Sequence, residues 1–347
     1  MSWTDGRLID ERRGILEGEG SHQKIRQESD FPATPVPKTY LQVPGVDAAD
    51  PTYYGQAVLK QPVWIWTIPT YLYIGGVAGA SATLGAVAHA VDGRQLHKLV
   101  TRCRWTATAG ALLSTACLLH DLGRPVRFLY MLRVFRPTSP MSVGSWVLTG
   151  FGGAAAGSAI LAGPLGTFAG AVAGLLGMPL ASYTSVLLSH TAVPLWQESR
   201  RTMPFLFIGS AISAAAAMLE FGRFNHREKR VITVFAVAGS VMELAGVAAL
   251  EREAGRVEQV IKPLREGATG ALWTAAKILS ATSLVLSLVP RKSRKVRVLS
   301  GVVGTLASLA IRFAIFHAGK RSAADPRATF HLQRADTHQN LTDGERN

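Results

Sequence analysis

A carboxylate and an arginine stand three positions apart, at Asp121 and Arg124, where an apolar stretch of the chain ends. Three more arginines follow, at Arg127, Arg133 and Arg136. Apolar runs on both sides predict that these charges lie near a membrane–water boundary, where charged groups are costly and usually paired. A carboxylate held by an arginine can relay protons. The alternative is a structural ion pair at a helix end, with the other arginines serving as headgroup anchors.

Long apolar segments precede and follow these charges. The chain is 48% hydrophobic and only 17% charged. From about residue 63 onwards it forms a series of apolar runs of roughly 18–28 residues, each long enough to cross a bilayer as a helix. These runs cover about 63–90, 105–122, 143–162, 165–190, 203–221, 231–250, 268–290 and 298–317. The pattern predicts an all-α, polytopic membrane protein with eight transmembrane helices arranged as two four-helix bundles.

The composition along the chain predicts four regions. Residues 1–62 form a polar N-terminal tail, and residues 63–196 form the first four-helix bundle. Residues 197–317 form the second bundle, and residues 318–347 form a disordered C-terminal tail. When the arginines near Asp121 are set aside, the basic residues favour a cytoplasmic location for the turns after the first, fifth and seventh spans.

The charge of the chain is strongly positive, with 37 basic against 23 acidic residues. Most basic residues fall in short segments between the spans, where anionic headgroups account for them, so nucleic acid is not an expected partner. The cysteines Cys103 and Cys117 lie about 21 Å apart if they share one helix, too far for a disulfide. Their spacing is not that of a zinc or iron–sulfur ligand set, so we expect no metal site and no cluster in this chain.

Several segments together resemble the signature of the NrfD/polysulfide reductase membrane-subunit family. They are DLGRP at 121–125, RF at 127–128, ML at 131–132 and PTSPMS at 137–142, followed by Trp146. The glycine-rich run YLYIGGVAGA at 71–80 is similar to the opening helix of that family. Two further segments, YT at 183–184 and TAVP at 191–194, also resemble it.

The resemblance implies a membrane anchor subunit of a respiratory oxidoreductase complex. Such an anchor exchanges electrons and protons between a quinone, either menaquinone or ubiquinone, and an iron–sulfur electron-transfer subunit. That subunit usually connects to a molybdopterin catalytic subunit, and the anchor itself carries neither haem nor an iron–sulfur cluster. The expected location is the inner or plasma membrane of a prokaryote, with multiple spans. Polysulfide, thiosulfate, nitrite and formate all remain open as substrates.

The resemblance also places a quinone site in the first bundle. Asp121 and Arg124 carry over from the motif as the proton relay, and Thr67, Tyr71 and Tyr183 carry over as quinone-binding residues. Hydroxyl groups can donate hydrogen bonds to the carbonyl oxygens of a quinone. His120 is a further candidate donor because histidine titrates near neutral pH.

Two other functions stay open from the residues. A haem b-type cytochrome anchor would use His120 and His190 as ligands from the ends of two helices. A transporter would bind its substrate at the midplane between broken helices. In the second bundle, Glu243 and Lys277 are expected either to pair with each other or to belong to a proton path.

Overall fold

The computed structural model of the chain describes residues 2–4, 7–10, 15–17, 59–122, 126–290 and 292–329. The chain divides into two compact units, Met1–Gln56 and Ala57–Asn347. In the first unit, strands β1 (Ser2–Thr4), β2 (Arg7–Asp10) and β3 (Ile15–Glu17) form an antiparallel sheet in that order. The sequence indicated no strand here, so this small sheet departs from the all-α description. The other predicted tail residues up to residue 58 lie outside the described part.

The described residues of the second unit contain eight long helices and three short ones. The long helices are α1 (Thr67–Asp92), α2 (His97–Leu122), α4 (Pro140–Ile160), α5 (Gly163–Ser189), α7 (Met203–Glu220), α8 (His226–Ala254), α10 (Gly267–Leu288) and α11 (Arg294–Ala324). The short helices are α3 (Val126–Arg133), α6 (Pro194–Glu198) and α9 (Glu258–Arg265). The last long helix continues beyond the predicted end of the eighth span at residue 317, and residues 330–347 lie outside the described part.

Six of the long helices, α1, α5, α7, α8, α10 and α11, are long and apolar enough to cross a membrane. These six helices confirm the prediction of a helical protein with multiple long apolar segments. Helices α2 and α4 do not belong to that set. Helix α2 falls outside this set in part because it begins at His97, earlier than the predicted start at residue 105. Its first turns therefore include Lys98, Arg102 and Arg104, which lower its mean hydropathy.

The long helices pack against one another through extensive contacts. Helices α1, α2, α4 and α5 contact one another and are called the first helix group below. Helices α7, α8, α10 and α11 are called the second helix group. Helix α7 also contacts α1 and α5, and α11 contacts α1, so α1 borders both groups. Each long helix therefore buries at least one side against neighbouring helices.

Glycines allow the closest helix crossings. A Cβ atom added at Gly79 of α1 would lie 2.2 Å from the carbonyl oxygen of Gly177 in α5, and the reverse distance is 2.3 Å. Only glycine permits such an approach between backbones. The turn between α4 and α5 is tight because Gly163 has a φ of 67°, a conformation that other residues rarely adopt.

Candidate functional site

The candidate site lies at the end of the first helix group where α1 and α4 begin and α2 and α5 finish. The hydroxyl of Thr67, the first residue of α1, donates a hydrogen bond of 3.3 Å to Oδ1 of Asp121, near the end of α2. Thr67 is only 2% exposed, whereas Asp121 is half-buried. The structure therefore brings together two site residues predicted from different helices, with the carboxylate on the more accessible side.

Two tyrosines form the next layer of the site. Tyr71 lies one turn further into α1 and is 2% exposed, and Tyr183 of α5 is half-buried. Their phenol groups lie close enough to interact electrostatically. The ring of Tyr183 rests on the backbone of α4, where a Cβ atom at Gly144 would lie only 1.7 Å from the ring. Gly144 therefore makes the space in which Tyr183 reaches Tyr71.

The remaining predicted site residues have different positions. Arg124 lies outside the described residues, so its pairing with Asp121 stays a prediction. His120 is exposed on the last turn of α2. His190 is exposed at the end of α5, where its Nδ1 lies 3.0 Å from the carbonyl oxygen of Val186. The structure thus joins Thr67 to Asp121 and places Tyr71 beside Tyr183, but it leaves both histidines at the surface.

The PTSPMS segment builds the junction between α3 and α4. Ser139 is the N-cap of α4 and accepts a hydrogen bond from the backbone N–H of Ser142, while Pro140 occupies the first helical position. The hydroxyl of Ser142 accepts from the N–H of Arg136 at 3.0 Å and donates to the carbonyl oxygen of Val134 at 3.3 Å. These contacts orient the start of α4, and hence Gly144, relative to the site.

Two clefts open beside this end of the first helix group. One, of about 600 Å³, is lined by residues that include His190, Gln197, Arg200 and Arg201. The other, of about 430 Å³, lies between residues 59–64 and 191–193. Neither cleft is lined by Thr67, Tyr71, Asp121 or Tyr183.

Within the described residues, no group of three or more histidine, cysteine, aspartate or glutamate side chains could hold a metal ion. Cys103 is buried and Cys117 is half-buried, and both are free thiols. A hydroxyl, two phenols and a carboxylate are suited to hydrogen bonding and proton exchange with a carbonyl-bearing molecule.

Residues 56–163 match the model of the family described as Polysulphide reductase, NrfD. Over this segment the chain is similar to the NrfD family. The resemblance found in the motifs is thereby confirmed. A search among curated proteins found no match. The NrfD segment contains Thr67, Tyr71 and Asp121 and extends through α4 to the start of α5, so Tyr183 lies beyond it.

The predicted pairing of Glu243 with Lys277 in the second helix group is wrong. The Nζ of Lys277 lies 2.7 Å from Oε1 of Glu251, two turns along α8 from Glu243. Trp273 Nε1 donates to the same oxygen at 2.7 Å. Glu251 and Lys277 are both partly exposed, with 34% and 37% of their side chains accessible. Glu243 is instead fully buried among serines.

Sequence reasoning also missed one residue inside the NrfD segment and one outside it. Gly144 carried a usable signal, because it is a small residue inside the PTSPMSVGSW stretch at 137–146. Arg312, which is 1% exposed within α11, carried no such signal. Its contacts depend on α1 and α7, and no pattern within α11 itself indicates them.

Proposed function

We propose that this protein is the quinone-reactive membrane anchor of a respiratory oxidoreductase complex in the inner membrane of a prokaryote. It exchanges electrons and protons between a quinone or quinol and an iron–sulfur partner subunit, which connects to a molybdopterin catalytic subunit. Its eight long helices cross the membrane as two four-helix bundles. The observation that carries the proposal is the contact of Thr67 with Asp121 beside the Tyr71–Tyr183 pair, in a chain with an NrfD segment.

The residues of the site fit a quinone, which supplies two-electron, two-proton redox chemistry when it is bound. Tyr183 presents a hydroxyl that can donate a hydrogen bond to a carbonyl oxygen. Asp121 holds or releases a proton at its carboxyl oxygens, and the Thr67 hydroxyl fixes the orientation of that carboxyl. Tyr71 supports Tyr183 from the buried side. Arg124, three positions after Asp121 in sequence, is proposed to hold the carboxylate through a charge-assisted hydrogen bond.

The iron–sulfur partner is proposed to contact the protein beside this site. Helix α3 has no buried residue, and it exposes Val126, Leu129 and Tyr130 directly after α2. Such a cluster of exposed apolar side chains, flanked by Arg127 and Arg133, is typical of an interaction surface. Helix α3 lies at the same end of the first helix group as the candidate site, so electrons would travel only a short distance between the partner and the quinone.

The test is affinity purification of the tagged protein in mild detergent, followed by mass spectrometry, quinone extraction and a visible spectrum. We expect an iron–sulfur protein, a molybdopterin subunit and bound quinone. A sharp Soret band with no other haem-bearing chain would instead identify a cytochrome that uses His120 and His190. A lone protein without quinone or iron, able to move a solute across vesicles, would overturn the proposal in favour of a transporter.

A further inference from the structure

Glu243 lies at the centre of the second helix group, fully buried and away from the candidate quinone site. The hydroxyl of Ser280, from α10, donates to Oε1. The hydroxyl of Ser308, from α11, lies 3.1 Å from Oε2 and 3.3 Å from the carbonyl oxygen of Ser210 in α7. All four helices of the group therefore meet at one carboxyl group.

The hydrogen bonds around Glu243 can be satisfied with or without a proton on the carboxyl. A hydroxyl has one proton to donate, so Ser308 can donate to Oε2 of Glu243 or to the carbonyl oxygen of Ser210, but not to both at once. When Glu243 is ionised, Ser308 donates to Oε2. When Glu243 is protonated, its O–H can donate to Ser308, which then donates to the carbonyl oxygen of Ser210. A group with partners in both states suits reversible proton binding.

Arg312 is the nearest charge to Glu243, and it is incompletely paired. Its Nη2 donates to the carbonyl oxygen of Phe207 at 3.0 Å, and its guanidinium carbon lies 3.8 Å from the centre of the Phe207 ring. Its Nε and Nη1 are buried without a hydrogen-bond partner. Glu243 acts on it electrostatically, but among the described contacts no direct ion pair joins the two. A buried charge whose N–H groups lack acceptors costs free energy unless water or another acceptor pairs with them.

Two hydroxyl groups beside Arg312 are also without partners. The phenol of Tyr73, from α1, and the hydroxyl of Thr305, from α11, are both buried and unpaired. They face each other without a direct hydrogen bond, and Tyr73 also lies close to the charge of Arg312. Buried polar groups in proteins nearly always have a partner, and a few ordered waters commonly supply it.

We propose that ordered water fills the space bordered by Arg312, Tyr73 and Thr305 and connects it to Glu243, so that Glu243 is an internal proton-binding site. In uptake, a hydronium ion of this water gives its proton to a carboxylate oxygen: one O–H bond forms on Glu243, one breaks, and water remains. Release reverses these steps. Arg312 compensates the charge of the carboxylate without fixing it in a direct ion pair. The proposal does not rest on the quinone function.

The surroundings of Glu243 decide which groups can exchange a proton with it. Helix α11 brings Arg312, and α1 brings Tyr73 on the far side of the arginine. Helices α7 and α10 bring the serines Ser210 and Ser280. Lys277 of α10 is engaged with Glu251 and not with Glu243. Water is therefore the proton carrier next to Glu243.

Infrared spectroscopy of the full-length protein in lipid nanodiscs tests this site. We expect a carboxylic acid C=O band that changes in amplitude with pH and shifts when the sample is transferred to ²H₂O. Glu243→Gln, which keeps the shape of the side chain, should lose the band. Glu251→Gln, a matched change on the same helix, should retain it. A band that is absent at every pH, or unaffected by Glu243→Gln, would overturn the proposal.

A second variant tests the water separately from the carboxyl. Tyr73→Phe removes one hydroxyl that borders the proposed water and leaves the ring in place. We expect the Glu243 band to remain but its shift in ²H₂O to become slower. If the band of the native protein never shifts in ²H₂O, the interior is dry. If Tyr73→Phe exchanges as fast as the native protein, the water is not where we place it. Either result overturns the assignment.

Discussion

At the scale of single residues, the Thr67–Asp121 hydrogen bond ties two helix ends together and positions the proposed proton-relay carboxyl. Replacing Thr67 with Val keeps its shape but removes the donor, which is worth about 1 kcal/mol. We expect a loss of quinol-dependent turnover of about fivefold, since 1.36 kcal/mol corresponds to tenfold. Asp121→Asn should cost on the order of 10²-fold, because it removes the acid–base group itself. Steady-state turnover of the purified complex measures both.

Thr70 offers the matched control for that experiment. It lies three residues along α1, and its hydroxyl donates only within its own helix, to the carbonyl oxygen of Trp66 at 2.8 Å. Thr70→Val should therefore leave turnover unchanged. Equal losses in Thr67→Val and Thr70→Val would show that the effect comes from the helix and not from Asp121.

Gly144 sets the position of Tyr183. Gly144→Ala places a methyl group where the tyrosine ring now lies, so the ring must move. Overpacking of this kind costs about 1–3 kcal/mol, and we expect a lower melting temperature in detergent together with a raised KM for quinol. Gly153→Ala, on the same helix with no heavy atom within 4 Å of the added Cβ, should be neutral or stabilising. If both variants retained the native KM, Tyr183 would have no role in quinol binding.

The site could be predicted from sequence in part, and the reason is visible in these residues. Asp121 stood out because a carboxylate at the end of an apolar run is unusual, and Thr67, Tyr71 and Tyr183 followed from the family resemblance. The partners of Glu243 could not be predicted, because the rotation of α8 against α10 decides whether Glu243 or Glu251 meets Lys277. The need for Gly144 likewise depends on how closely α4 and α5 approach each other.

A buried ion cluster fixes the end of helix α7 to the start of helix α11. The carboxylate of Glu220 lies 2.6 Å from Nη1 of Arg297 and 3.4 Å from Nζ of Lys292. The side chains of Glu220 and Lys292 are 1% and 2% exposed. Glu220→Gln leaves two buried cations unpaired, which costs about 3–5 kcal/mol. Thermal unfolding should show this loss, whereas Glu258→Gln, in an exposed pair with Arg265, should change stability by less than about 0.5 kcal/mol.

The same cluster predicts a pH dependence. Burial lowers the pKa of the Lys292 ammonium below its ordinary value of 10.5, and the Glu220 carboxylate opposes that shift. In Glu220→Gln the pKa should fall further, while the unfolded chain keeps its proton up to about 10.5. Between the folded pKa and about 10.5 the unfolded state binds more protons, so stability rises with pH. As the pH rises in the alkaline range, the difference in the free energy of unfolding between Glu220→Gln and the native protein should therefore become smaller. A constant difference would contradict this account.

Helix α3 is the element whose role depends most on a partner. Leu129, 63% exposed on α3, should lie in the proposed contact with the iron–sulfur subunit. Leu129→Glu places a charge in that contact, and buried apolar anchors of interfaces are worth about 2 kcal/mol or more. We expect the iron–sulfur subunit to be lost from affinity purification while the protein stays in the membrane. Arg256→Glu, at an exposed position between α8 and α9, should retain it. Retention in both variants would remove α3 from the contact.

Three turns, those after α1, α7 and α10, meet on the face opposite the candidate site. Asn225, before α8, donates to the carbonyl oxygen of Gln95, between α1 and α2, at 3.0 Å. Arg294, at the start of α11, donates to the carbonyl oxygens of Gly222 and Phe221 at 2.7 and 2.9 Å. This face is rich in exposed basic side chains, which include Arg94, Lys98, Arg102, Arg223, Arg227, Arg230, Arg294 and Lys295.

The acidic residues on that face do little to offset its charge. Glu220 and Glu228 are buried, and Asp92 is half-buried beside Arg227 at 3.9 Å. The site face mixes both signs more evenly, since Glu251, Glu258 and Glu266 lie among its arginines and lysines. Because short cytoplasmic segments carry the excess of lysine and arginine, we expect the basic face to be cytoplasmic and the candidate site to be on the other side.

Labelling of single cysteines with a membrane-impermeant maleimide checks this orientation in intact cells. Thr138→Cys, in the exposed segment before α4, should react without permeabilisation, and Arg94→Cys, in the turn after α1, should react only after it. The native protein supplies the background, because Cys103 is buried and Cys117 is half-buried. The reverse pattern would place the site in the cytoplasm. Reaction of both cysteines from one side would mean that α2, which separates them and carries the charges of its first turns, does not cross the membrane.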